Sequence, residues 1–502
     1  MPYNIRIIST YPPRRCGIGT FSRDLATALA HFTAEVGNIR VAAIDSGNGP
    51  YGIPVDLLID QHSPTSWRDV VTHIRTRAAE ARNPTAVVLQ HEFGLDPDPE
   101  GRAGLGENFV NLAKAFHGAG LITIVYLHTV IDKPSPHEKA TIQSLAQCSD
   151  GLIVTTESAI QILESDVYGI PHDKLKHIDH GVRMHQHSQF DRLAIKQEYG
   201  LENRFLITTL GMLSPSKGLE YGIRAYGRFL RESCTDEQRR NIVYLIAGKC
   251  HPEFVKAEGG QPYQRFRAAI NEAIEQAQVR SCTVKELGGA DFDEYDIIFL
   301  DSFLDENTLL RLYGATNVML LPYLNMQQIS SGVLADTLGA GRVAISTKFR
   351  YAQELIHSNN ACPEGLIIGR FARGILVDAG EPSVEQIAQG LDFLVFNEHK
   401  RLMMERQAHQ RGYQMRWYNS AWALLQYLDF IRDEKQTVTG RGPKFTREKP
   451  SRLDVYRFRR IPITSMAAIR PCTDQNGPTR TGTDAFVRNS SRASEDPPTI
   501  AV

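Results

Sequence analysis

One pattern occurs twice in this chain: a short apolar strand runs into a glycine-bearing loop and then into a helix. The first copy has an apolar run at residues 5–9, then Tyr11-Pro12-Pro13-Arg14-Arg15-Cys16-Gly17-Ile18-Gly19-Thr20, then a helical run over 21–29. The second has an apolar run at 205–210, then Gly211-Met212-Leu213-Ser214-Pro215-Ser216-Lys217-Gly218, then a helical run over 219–230. Such loops aim backbone N–H groups and a positive helix end at an anion, usually a phosphate. Two copies predict two nucleotide-fold domains facing one cleft.

The rest of the chain fits that frame. Strand-length apolar runs alternate with helix-period segments at 41–44, 86–90, 122–127, 151–155 and 176–178. The series restarts at 205–210 and continues through 242–247, 297–300, 318–321, 343–346 and 374–377. Continuous Val/Ile/Leu runs between helices signal parallel strands covered on both faces. The predicted class is therefore α/β, with Rossmann-like doubly wound domains at 1–190 and 200–380 and a linker around 183–203. Helical segments at 382–396, 399–412 and 415–432 fill a C-terminal block, 381–433. The last carries Trp417, Trp422, Leu425, Leu428 and Ile431 close to helical spacing, so it should pack on a domain. Residues 434–502 are rich in Pro, Ser, Thr, Arg and Gly and are expected to be mostly disordered, with 453–461 a possible exception.

Composition narrows the function classes. A chain of 502 residues is too long for one core. A formal net charge of -1 supplies no global field to draw nucleic acid, so no nucleic-acid partner is expected. No run approaches the roughly 20 apolar residues of a membrane span, and Met1-Pro2-Tyr3-Asn4 leads straight into a strand. The expectation is a cytoplasmic protein with no transmembrane segment, peripheral membrane contact being left open. The seven cysteines are scattered and never form Cys-x-x-Cys, which fits a reducing compartment and argues against structural zinc.

The candidate residues sit in loops after the strands. Gly17 and Gly19 permit a tight turn and close approach of a ligand to the main chain, though a bare G-x-G is weak and equally fits a simple strand-to-helix turn. Lys217 precedes Gly218 and a helix start, where an ammonium reaches a phosphate; a solvated lysine is the alternative. After the strand 318–321, Gln328, Ser330, Ser331 and Gly332 form a polar turn before a small-residue helix. Asp336, expected about two turns into that helix, is placed to accept bonds from ribose hydroxyls or is a surface acid. His91 with Glu92, His128, and His180 each follow a predicted strand at its carboxyl end, where α/β sites are built; a histidine there also simply caps a turn. No acidic metal cluster is visible at these loops, so no metal or other cofactor is expected.

Taken together, these residues resemble the GT-B glycosyltransferases, specifically family 4 of the retaining enzymes, over residues 5–432. The Tyr-Pro-Pro-x-x-Cys-Gly-Ile-Gly-Thr-Phe opening, Gln90-His91-Glu92-Phe93-Gly94 and Leu127-His128-Thr129 are similar to one branch of that family. The resemblance implies a nucleotide-sugar donor as co-substrate, a carbohydrate or other hydroxyl acceptor, and transfer with retention. It gives Gly17, Gly19, Lys217, Gln328, Ser330, Ser331, Gly332 and Asp336 to the donor, with Gly17, Gly19 and His128 facing its sugar and the acceptor, and catalytic roles to His128 and Lys217. His91, Glu92 and His180 would lie on the substrate side. Two positions depart from the family pattern. Met212 stands where the family has an arginine on the donor diphosphate, and Gln328 and Asp336 stand where it has two glutamates. These departures suit an alternative, a catalytically silent relative that binds a nucleotide sugar or glycan and regulates or scaffolds a partner. A dinucleotide oxidoreductase is a weak third reading, since neither loop spells Gly-x-Gly-x-x-Gly.

Overall fold

The computed structural model describes residues 2–47, 49–96, 107–183, 191–289, 294–356 and 365–438. The segments 184–190 and 439–502, which hold part of the predicted linker and nearly all of the predicted disordered tail, lie outside the described residues.

Fourteen strands are described, in two seven-stranded sheets. The first sheet contains β1 (Tyr3–Ser9), β2 (Val36–Asp45), β3 (Val55–Asp60), β4 (Thr85–His91), β5 (Ile122–Leu127), β6 (Gly151–Val154) and β7 (Leu175–His177). The second contains β8 (Phe205–Leu210), β9 (Ile242–Ala247), β10 (Ser281–Val284), β11 (Ile297–Leu300), β12 (Val318–Leu321), β13 (Val343–Thr347) and β14 (Gly374–Val377). Every pairing is parallel. The strand orders are β3-β2-β1-β4-β5-β6-β7 and β10-β11-β9-β8-β12-β13-β14. The order reverses between β1 and β4 in one sheet and between β8 and β12 in the other. At such switch points adjacent loops diverge to opposite faces and open a crevice at the carboxyl edge.

The central strands form because both faces are covered. β4, β5, β9, β11, β12 and β13 are buried at every residue, and the apolar side chains divide into two cores on each sheet. The two strands without a predicted counterpart, β3 and β10, each lie at one edge of a sheet, the opposite edges being β7 and β14. In β3 the burial alternates, in β10 no residue is fully buried, and neither carries the continuous apolar signature.

The helix Arg192–Glu198 lies within the predicted linker, and its Ile195 joins Leu201 and Leu206 in a core of the second sheet. The C-terminal helices run Pro382–Phe396, Glu398–Gln414 and Trp417–Val438. The last extends six residues beyond its predicted end at 432. It returns to the first half, where Trp417, Leu425, Leu428 and Ile431 pack with Tyr3, Ile5 and Phe21. Trp422 is instead 42% exposed and stacks on Phe32. A Cβ on Gly181 would lie 2.0 Å from the Trp417 indole, so only glycine admits the helix there. The chain crosses between the halves at two neighbouring points. Val182 donates its N–H to Met415 O at 2.8 Å, and Trp417 donates to Val182 O at 3.2 Å. Among the described residues no helix is long and apolar enough to cross a membrane.

Candidate active site between the two sheets

Loops from the carboxyl ends of both sheets meet. Thr155, after β6, donates to Ile329 O at 2.9 Å in the loop after β12, and Ile329 is buried among first-half side chains. Gly332 follows, and a Cβ there would lie 3.8 Å from the imidazole of His180, after β7. The sequence-predicted turn at 328–332 and His180 therefore converge across the cleft.

The first-half loop begins its helix earlier than predicted. Gly17 and Gly19 belong to the first turn of the helix Gly17–Leu29, and the N-cap residue, Cys16, contributes no side-chain cap. The opening N–H groups of a helix have no intrahelical acceptors, so this end offers donors toward the cleft. The two glycines have different reasons. A Cβ on Gly19 would be 3.3 Å from the backbone of Tyr11, whereas one on Gly17 would meet nothing within 4 Å.

The histidines separate by strand alternation. Gln90 and His91 are adjacent in β4, so their side chains leave opposite faces of the sheet. Gln90 meets His128, whose Nε2 lies 2.7 Å from Gln90 Oε1. His128 then sets its ring edge-on to Phe21, centroids 5.0 Å apart, and His180 does the same at 5.1 Å. Burial, with the nearby His180 and His91 acting in the same direction, pushes His128 down to about 3, so its ring is neutral. Burial lowers His180 too. Its Nδ1 is 2.7 Å from Gly181 O and must donate, leaving Nε2 as an acceptor. His91 is wholly buried, with neither ring nitrogen partnered, edge-on to Phe93 and Phe109. The structure thus does not bring His91 to the cleft surface. Glu92 accepts from Phe93 N at 3.0 Å and from Thr129 Oγ1 at 2.7 Å, and burial raises its carboxyl despite those bonds.

In the second half, Gly218 adopts φ +59° as N-cap of the helix Leu219–Ser233, and a Cβ there would stand 2.1 Å from Pro322 O. That contact presses the β8 loop against the β12 loop. Lys217 consequently lies over the ring of Tyr323, its Nζ 3.6 Å from the centroid, while Phe349 stacks on Tyr323 at 5.3 Å. Gln328 donates from Nε2 to Ser330 O at 2.7 Å, and Ser331 caps the helix Gly332–Gly339 by accepting from Leu334 N at 3.3 Å. Asp336 is the fifth residue of that helix, little more than one turn in rather than two. Burial raises its carboxyl to about 7; Arg183 opposes this, and Asp24 and Glu306 add to it.

Most cations of the cleft have carboxylate partners. Arg183 bonds Asp24 at 2.7 Å and Glu306 at 3.2 Å, Arg23 meets Glu306 at 2.7 Å, and Arg350 meets Asp132 at 2.8 Å. Arg15, Lys217 and Lys249 differ: none of the ion pairs among the described residues includes them, and each lies over an aromatic ring. Arg15 and Lys249 share Phe303, at 4.0 Å and 5.7 Å from its centroid. Sequence reasoning passed over Arg15, Lys249 and Phe303. The available signal was position alone: Arg15 is in the first glycine loop, Lys249 follows β9 beside β8, and Phe303 follows β11, the next strand out.

Comparison with known proteins rests on structure. No family model matches the chain, and no curated protein matches it by sequence. It is similar to Anabaena HepE in complex with UDP, with a TM-score of 0.58 and 14% identity over 85% of this chain and 100% of that one. The fold is GT-B. An Escherichia coli trehalose-6-phosphate protein bound with UDP-2-fluoro glucose gives a TM-score of 0.57 at 12% identity over 86% of this chain and 99% of that one. An α,α-trehalose-phosphate synthase (UDP-forming) from Burkholderia xenovorans gives 0.57 at 13% identity over 86% and 100%. These GT-B neighbours are glycosyltransferases.

Proposed function

We propose that this protein transfers a sugar, with retention, from a nucleotide-sugar donor to a hydroxyl acceptor, carbohydrate or other. The observation that carries the reading is Lys217: a cation without a carboxylate among the described residues, held on Tyr323 after β8, where the second sheet reverses its strand order. The UDP and UDP-sugar complexes of the structural neighbours support it.

In this reading the diphosphate lies against Lys217 and the amides at the start of the helix Gly332–Gly339. Asp336 takes the ribose hydroxyls. The sugar extends toward His128, His180 and the opening amides at Gly17 and Gly19. His128 stays neutral and orients sugar hydroxyls by hydrogen bonding. Gln328 is an amide and forms no glycosyl ester, so the acceptor oxygen attacks C1 from the face the diphosphate leaves. The C1–O(phosphate) bond breaks as the C1–O(acceptor) bond forms, and the acceptor proton passes to the departing phosphate oxygen. Fixed donors aimed at that developing charge supply the largest catalytic contribution. Product formation with a panel of nucleotide sugars, wild type against Lys217→Ala, tests the assignment, and equal rates would refute it.

Met212 and the locally satisfied Gln328 amide favour a second reading, a nucleotide-sugar-binding protein without turnover. Calorimetric binding of a nucleotide sugar with no product across a broad acceptor panel would select it.

A further inference from the structure

The position that lacks its cation has one beside it. β8 and β9 pair in unbroken register from Phe205↔Ile242 to Leu210↔Ala247. The pairing continues past both strands: Gly211 donates to Ala247 O at 3.1 Å, Leu213 donates to Lys249 O at 3.0 Å, and Leu213 bridges Cys250. Met212 and Lys249 are therefore register partners. Partners on adjacent parallel strands project to the same side, about 4.8 Å apart at the backbone.

The glycines beside them fix this arrangement. Gly211 and Gly248 adopt φ +112° and +146°, and a Cβ on Gly248 would lie 1.8 Å from Gly211 O. The two loops touch backbone to backbone, leaving Met212, 39% exposed, and Lys249 as the neighbouring side chains that can reach outward. Lys249 and Arg15, from opposite halves, then address the same Phe303 ring without a carboxylate from any described residue. Two like charges gathered at one ring repel unless an anion joins them.

We infer that Lys249 and Arg15 hold the donor diphosphate together with Lys217, Lys249 standing in for the cation absent at Met212. The inference rests on the nucleotide-sugar reading above. A phosphate between Lys249 and Arg15 also ties the halves together, so diphosphate binding and closure of the cleft are coupled. This division explains how Met212 is compatible with a working donor site: the charge is displaced by one strand, and a third cation arrives from the facing domain.

The test is calorimetric titration of the full chain with UDP, ADP and GDP, and of the tightest binder's parent nucleoside. Variants are Lys249→Met, Arg15→Met, Lys217→Met and the double variant Lys249→Met/Met212→Arg. Each single cation loss should weaken diphosphate binding on the order of ten- to a hundredfold while leaving nucleoside affinity within twofold, as expected for a charge-assisted phosphate contact. Met212→Arg should restore most of the loss in the Lys249→Met background, which a folding defect would not permit. Arg15→Met lies in the other half and gives an independent reading. Wild-type diphosphate affinity in both Lys249→Met and Arg15→Met, with Lys217→Met weakened, overturns this inference and leaves the proposed function standing. A wild-type protein that binds none of the three diphosphates overturns both.

Discussion

Glu354 offers the most direct test of how the halves are held. It lies in the helix Arg350–Ile356 of the second half. Its carboxylate accepts from Glu157 N at 2.9 Å and Ser158 N at 2.8 Å, the first two amides of the first-half helix Glu157–Glu164. The anion therefore caps a helix of the opposite domain, satisfying two orphan donors at the positive end of the dipole. Each charge-assisted bond would contribute about 1.5 to 3 kcal/mol if fully buried. Glu157 is exposed and Ser158 only partly buried, so about 1 to 2 kcal/mol for the pair is the working figure. Glu354→Ala should then shift the closed-to-open ratio about five- to thirtyfold toward open. A ratio of about 20:1 would fall to between about 4:1 and about 0.7:1, a large change in mean shape.

Small-angle X-ray scattering of the unliganded proteins reads this as an increased radius of gyration for Glu354→Ala. Glu354→Gln, which retains one acceptor oxygen, should fall between. Added UDP should recover part of the compact form. The backbone carbonyl of Glu354, which accepts from Arg373, is unaffected by either substitution, so local folding is preserved. Scattering curves that superimpose for wild type and Glu354→Ala would refute the claim that this cross-domain cap contributes to closure.

Four further outcomes follow from the same geometry. Gly218→Ala forces a side chain into φ +59° and against Pro322 O at 2.1 Å, so the urea midpoint should drop by the equivalent of about 2 kcal/mol or more; an unchanged midpoint refutes the packing argument. Gly181→Ala should displace Trp417 from its buried site and shift tryptophan emission to longer wavelength. Lys196 is buried against Asn317 Oδ1 and Arg204 O. Burial, reinforced by Arg192, Arg401 and Arg342, lowers it to about 7. Above that value the unfolded chain binds the extra proton, so stability should rise with pH between about 7 and 10, by up to about 1.4 kcal/mol per unit, and Lys196→Met should flatten that rise. Asp336 runs oppositely: with its carboxyl raised to about 7, the native state holds the proton longer. Stability should therefore fall as pH climbs from about 4 to 7, and Asp336→Asn should remove that slope, read from denaturant midpoints across the range.

The fold was readable because burial on both faces leaves an unmistakable mark. Ala86-Val87-Val88-Leu89 and Val318-Met319-Leu320-Leu321 tolerate no polar residue, and their alternation with helices leaves a parallel sheet as the remaining arrangement. Val55–Asp60 and Ser281–Val284 carry no such mark because these two edge strands expose part of their length, unlike the opposite edge Gly374–Val377, which is buried throughout. The site was readable only in part, and for a geometric reason. Sequence position places a residue at a strand's carboxyl end but does not say to which face its side chain turns. His91 ends β4 and His128 follows β5, yet pleating sends His91 inward to Phe109 while Gln90 reaches His128. Lys249 was invisible for a related reason: its significance depends on which strand lies beside β8, and β9 becomes that neighbour only once the strand order is known.

The two halves consequently contribute different electrostatics to one cleft. On the first side the imidazoles of His128 and His180 are neutral because burial withdraws their charge, and they are positioned by Phe21 and Trp417 rather than by ions. On the second side Lys217 and Lys249, with no carboxylate partner among the described residues, lie on aromatic rings, which stabilise a charge without neutralising it as a carboxylate would. Arg15 is the exception, a first-half cation that reaches a second-half ring. A neutral hydrogen-bonding surface suits sugar hydroxyls, and an unneutralised positive surface suits a leaving diphosphate. Under the proposed function, the neutral ring of His128 would leave a phosphate to Lys217 and its neighbours, with which a cationic ring there would compete.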